Sequence, residues 1–229
     1  MIKVRHSEDR GLSQLGWLDS RHTFSFGDYY EPEQMGVSAL RVINDDKVIP
    51  GAGFATHSHR DMEIISYVTK GSIEHKDSMG HVEVLPAGEF QLMSAGTGVT
   101  HSEYNPSPTE PLEFLQIWIQ PKQLGIEPAY QQKKFVRKAG IQNIASPDAR
   151  DESLLLHQDA SLYQLVIRVG QEVPHDVKSG RTLYVHVVSG QVKVNGENLH
   201  GGDGATVRDV ETVAFTGATD GEALVFDLP

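Results

Sequence analysis

His57 and His59 stand one residue apart, and Glu63 follows four positions after the second histidine. Alternate side chains of a β-strand point to the same face, so this spelling would aim three potential metal ligands at one point. Imidazole nitrogens and carboxylate oxygens are donors that hold a first-row divalent metal ion. Further along, His101 and Glu103 share parity and face one cavity if residues 96–105 include a strand. The bland alternative is a group of polar residues on a solvated strand face. With 11 histidines in the chain, a single His-x-His pair is a weak signal. The chemistry depends on what positions these residues.

Short runs rich in β-branched and apolar residues recur between turn signals. They include ALRVIN, MEIISYVT and EFLQIWIQ, then YQLVIRV, LYVHVVS and EALVFDL. With 22 glycines and 11 prolines spread along the chain, this rhythm predicts an all-β sandwich or barrel. Short helices are expected only near residues 128–132 and 146–152. Residues 121–150 break the rhythm and carry the basic run KKFVRK, read as a solvated face. They are expected to connect an N-terminal unit, 1–120, to a C-terminal one, 151–229. Gly71, Gly80, Pro86 and Gly88 in the first half are echoed by Gly190, Gly196, Gly202 and Gly204 in the second. A turn pattern repeated after the same kind of strand predicts two related β-barrels.

Composition narrows the function. A net charge of −11 and a pI near 5.4 argue against direct nucleic-acid binding, which needs clustered Lys and Arg. No apolar run is long enough to span a membrane, and the first residues lack the apolar core of a signal peptide. A cytoplasmic location is therefore expected. With no cysteine, any metal must sit on nitrogen and oxygen ligands.

Gly51, His57, His59 and Glu63 follow the first cupin motif, with Gly71 one residue later than usual. The second motif is divided. Gly80, Pro86 and Gly88 fit its front, Gln91 holds its histidine position, and Gly98, His101 and Asn105 fit its rear downstream. The displaced histidine occurs with HTFSFGDYY (22–30), GFATHSHRDMEIISYV (53–68), QLMSAGTGVTHSEYN (91–105) and LQIWIQP (115–121). Together these runs resemble the pirin family, and within it the bacterial pirin-like quercetin 2,3-dioxygenases.

The resemblance implies an all-β bicupin: two antiparallel double-stranded β-helix barrels packed together, with few short helices. It implies one divalent metal ion in the N-terminal barrel, held by His57, His59, His101 and Glu103. Iron(II) is the favoured ion, although such ligands also suit Mn, Co, Ni, Zn or Cu. The implied activity is cleavage of a flavonol or related phenol by O2 with release of carbon monoxide, Glu103 serving as base. A second reading is a metal-binding regulatory or redox-sensing protein acting through a protein partner.

Three histidines and one carboxylate leave coordination positions open for catalysis, and Glu63 as a further ligand would close them. Glu63 is therefore expected beside the ligands, orienting a histidine or a bound water. Phe26, Phe54, Gln91 and Met93 are expected to line the pocket. The second half lacks the set: His175 is followed two residues later by Val177, and Val207 takes the later histidine position. His157, His186 and His200 are expected as satisfied surface residues. The C-terminal barrel should serve as packing partner and cleft wall, and the chain should act as a monomer.

Overall fold

The computed structural model describes all 229 residues, Met1–Pro229. Each half combines one seven-stranded and one four-stranded sheet, almost wholly antiparallel. This is the two-barrel architecture the resemblance implies. In the N-terminal half the four-stranded sheet runs Gly53–His59, Val99–Tyr104, Ser72–Asp77, Val82–Pro86. Facing it, the large sheet includes Glu89–Ser94, Glu63–Lys70, Leu112–Ile119 and Leu40–Val48 as neighbours. Gly71 joins Glu63–Lys70 to Ser72–Asp77 at φ +77°, and a Cβ there would lie 2.9 Å from the carbonyl oxygen of Pro111. Only glycine accommodates both constraints.

Two local expectations change. Residues 128–132 are not helical: Ala129–Lys134 is an edge strand paired with Glu89–Ser94. Its polar sequence carries no strand signature of its own, and the open edge of the large sheet supplies the missing hydrogen-bond partners. In 146–152 only a 3₁₀ turn forms, at Arg150–Glu152. The segment 121–150 is also more than a connection. It gives Ala129–Lys134 to the N-terminal sheet and Gly140–Ser146 to the C-terminal sheet. Meanwhile Ile2–Arg5 crosses over to pair with Gly204–Val207.

Side-chain alternation gives the two barrels different interiors. The largest apolar cluster, of 23 buried residues, draws on both large sheets, with Ile43, Ile65, Leu92 and Ile117 meeting Leu162, Leu224 and Phe226. Each such burial stabilises by roughly 1.5–3 kcal/mol, so the two halves are firmly fused. The C-terminal barrel encloses a continuous apolar core of 16 residues. Inside the N-terminal barrel, by contrast, the apolar residues split into clusters of seven and four. Buried polar side chains, among them Ser66, Gln91, Glu103 and Gln116, are set into the same barrel.

His186, expected at the surface, is instead 1% exposed, and neither ring nitrogen has a hydrogen-bond partner. On Thr182–Ser189 the residues Leu183, Val185 and Val187 fill the C-terminal barrel, which turns Tyr184 and His186 to the opposite face. Burial, aided by the nearby Arg10 charge, pushes the His186 imidazole well below its ordinary range. The unfolded chain takes up this proton near pH 6.5 while the folded chain does not, so stability falls as pH drops through that value. Comparing urea unfolding at pH 8 and pH 5, His186→Leu should gain about 2 kcal/mol on the wild type. A pH-independent difference would show that the ring takes up its proton in the fold as it does in the unfolded chain.

Candidate metal centre

His57 and His59 occupy Gly53–His59 and His101 occupies Val99–Tyr104, two neighbouring strands in which His101 pairs with His57 and Val99 with His59. Period-2 alternation along each strand and antiparallel register between them bring the three rings together. His101 Nε2 lies 3.0 Å from His57 Nε2 and 3.0 Å from His59 Nε2. Two adjacent ligands about 2.1 Å from one octahedral ion would stand roughly 3.0 Å apart, so the nitrogens are spaced as ligands are.

The protonation states also fit. His57 Nδ1 donates to the carbonyl of Ala55 at 2.7 Å, which leaves the lone pair on Nε2. Burial, together with the neighbouring imidazoles, pushes His59 down to about 4 and His101 down to about 3. Near neutral pH these rings are uncharged and can donate lone pairs to a cation.

Glu103 follows His101 across a bulge in the pairing with Gly53–His59, and its side chain is buried. Its Oε2 accepts from Gln116 Nε2 at 2.8 Å, and its Oε1 lies 3.1 Å from Ser66 Oγ. The hydroxyl is shared with Gln116 Oε1 at 3.2 Å. Two facing strands thus hold the carboxylate in one orientation.

Glu103 belongs to a second cluster, His75, His101 and Glu103, which meets the first at His101. His75 was missed in the sequence because its place depends on strand pairing: it sits opposite Glu103 in the register of Ser72–Asp77. Its Nε2 lies 3.1 Å from Asp77 Oδ2, and its Nδ1 lies 3.4 Å from Gln91 Nε2. Nε2–H donates to the carboxylate, so in the neutral ring Nδ1 accepts from the amide and its lone pair is engaged. His75 therefore stands beside the site, and the three Nε2 atoms and the Glu103 carboxylate remain as candidate donors.

The remaining expected residues separate by face. Gln91 reaches His75, and Met93 joins Ile64, Ala95, Val99, Met62, Met79 and Trp118 in an apolar cluster. The Trp118 ring lies 5.0 Å from that of His59, edge to face. Phe26 packs on Trp118 at 5.3 Å and on His22 at 5.4 Å. Phe54 packs against Trp17 and Phe114 in the other apolar cluster of the barrel.

Glu63 does not orient a site histidine. It shares parity with Ile65, which points to the interface between the halves, and it accepts from Ser94 Oγ and His157 backbone N–H, each at 3.1 Å. The His157 ring lies against the same carboxylate at 3.3 Å, so Glu63 fastens one half to the other. His175 packs edge-on to Tyr163 and His200 is exposed; neither has a second histidine partner.

The Pirin family model matches residues 4–119, and the model described as the quercetinase C-terminal cupin domain matches 143–228. The chain is 50% identical over 229 residues to the quercetin 2,3-dioxygenase of Escherichia coli K12, covering 100% of this chain and 99% of that protein. It is 37% identical over 231 residues to a pirin-like protein of Caulobacter vibrioides, covering 99% of each. A crystal structure of the Escherichia coli bacterial pirin YhhW in complex with nickel(II) superposes with a TM-score of 0.98. That pair shares 50% identity over 100% of this chain and 99% of the other. With both halves matched in order and relatives aligned end to end, this chain belongs to the pirin family.

Proposed function

We propose that the protein is a metal-dependent dioxygenase that opens the central ring of flavonols such as quercetin with O2, releasing carbon monoxide. The observation that carries this reading is the convergence of three imidazole nitrogens beside one buried, doubly held carboxylate. His57, His59, His101 and Glu103 would hold one divalent ion, iron(II) being favoured. When bound, the ion supplies Lewis acidity toward the substrate oxygens and a partner for O2 chemistry. Nickel in a relative that is half identical in sequence supports a divalent ion at such a site.

The chain's own residues account for substrate choice. Glu103 accepts the proton of the 3-hydroxyl, and Ser66 and Gln116 keep its oxygens aimed while it does so. Trp118 lies edge to face beside His59, and the buried Ile64 and Met93 pack in the same cluster, so that flank of the histidines is apolar and suits a flat ring system. The test is anaerobic loading with iron(II), followed by an oxygen electrode and carbon monoxide detection. Quercetin should consume O2 with carbon monoxide in equal amount, and the flavone lacking the 3-hydroxyl should not react. No oxygen uptake by fully metallated protein with flavonols, other phenols or enediols would overturn the dioxygenase reading. The alternative, a regulatory protein that signals metal state to a partner, would then lead.

A further inference from the structure

His59 is the last residue of its strand. Gly53–His59 is the outermost strand of the four-stranded sheet and pairs on one side only, with Val99–Tyr104. After His59 the chain leaves that sheet, and Glu63 opens a strand of the large one. Residues 60–62 lie between the two and anchor the end of the strand that carries this ligand. His57 has its own tether at the carbonyl of Ala55, whereas the His59 ring contacts only His101 at hydrogen-bond distance. The position of His59 therefore depends on the backbone behind it.

That backbone is held from two directions. The Asp61 N–H donates to the Gly96 carbonyl at 2.9 Å, and the Ala95 N–H donates to the Met62 carbonyl at 2.8 Å. Residues 95–98 lead into the strand that carries His101, so the turns beside the two ligands are bonded to each other. Residues 121–128, part of the segment between the halves, close over both turns. Gly125 N–H donates to Asp61 Oδ1 at 2.6 Å, and Thr97 N–H donates to the Ile126 carbonyl at 2.9 Å. A Cβ on Gly96 would lie 2.1 Å from that same carbonyl oxygen, so the loop seats where the turn has no side chain. Asp61 joins turn to turn through its backbone and turn to loop through its carboxylate. It does so at φ +49°, a left-handed conformation that strains most residues and suits glycine and asparagine. A strained residue beside a ligand, held by its own side-chain bond, points to a role for that bond.

We propose that Asp61 is a positioning residue for the metal centre. It clamps loop 121–128 onto the turns beside His59 and His101 and so sets the spacing of those two ligands. This role rests on the reading of His57, His59, His101 and Glu103 as metal ligands. The measurements are cobalt(II) affinity, the visible spectrum of the cobalt-saturated protein, and urea unfolding of the metal-free protein. Asp61→Gly removes the side-chain bond and relieves the left-handed backbone. That relief offsets the greater freedom of glycine in the unfolded chain, so the unfolding midpoint should stay near that of the wild type. Cobalt affinity should fall about tenfold, the lower end of what losing a group behind a ligand costs. The visible bands should shift, because they follow coordination geometry. Asp61→Asn keeps an acceptor oxygen and tolerates the same φ, so it should restore both affinity and spectrum. Asp209→Gly relieves a similar backbone, φ +57°, in the C-terminal half and should leave both as in the wild type. Wild-type affinity and spectrum in Asp61→Gly would overturn the proposal, as would an equal loss in Asp209→Gly. So would a loss of affinity that accompanies a lower unfolding midpoint and that Asp61→Asn does not repair. Failure of the wild-type protein itself to bind cobalt would remove the metal centre, and the role of Asp61 with it.

Discussion

His101→Ala should lower the affinity for a divalent metal by more than about 100-fold, beyond the 10–100-fold typical of losing a group that only orients a ligand. His101 is the shared member of the two clusters, 3.0 Å from the Nε2 atoms of both His57 and His59. Its removal leaves two half-buried imidazoles on one strand and a carboxylate on another, with no central donor. His175→Ala and His200→Ala should leave metal content unchanged, because neither residue meets a second ligand. Glu63→Gln should also retain the metal, since its hydrogen bonds run to Ser94 and His157. Its effect should fall on stability instead, at about 1–3 kcal/mol for a buried hydrogen-bonded charge. Metal analysis after dialysis, with denaturant unfolding of the same samples, reads both quantities. Comparable metal loss from His101→Ala and His200→Ala would mean that binding is adventitious.

Glu103→Gln should cut flavonol turnover by roughly 10²–10⁴-fold, the range for loss of a positioned general base. The amide has nearly the shape of the carboxylate and can still accept from Ser66 or Gln116, so the fold should be kept. An amide oxygen also remains able to coordinate, so much of the metal should stay bound. The discriminating measurement is turnover per bound metal, which the variant should lose while its metal content largely persists. A Glu103→Gln protein with wild-type turnover per metal would remove Glu103 from the chemistry.

Much of the site was legible before any fold was known, because its information is local. A strand has a period of two, so His57 with His59 and His101 with Glu103 had to share faces once those segments were strands. The absence of a matching set around His175 and Val207 was equally plain. The two-barrel architecture followed from strand rhythm, the repeated turn glycines and the family likeness.

What failed to carry was parity across a turn. Glu63 lies four residues after His59, yet residues 60–62 take the chain from the four-stranded sheet into the seven-stranded one. The alternation restarts there, and Glu63 faces the other half of the molecule. His75 depended on pairing between strands more than 20 residues apart, which spacing does not encode. His186 became buried only when two large sheets closed on each other, since its own strand reads equally well with either face to solvent. Ala129–Lys134 is a strand because an edge was waiting for it. The sequence by itself determined which residue types could bind a metal and which barrel could hold them. Tertiary structure alone decided what Glu63 fastens and where His75 and His186 sit, because those outcomes rest on which sheet each strand joins and what packs on it.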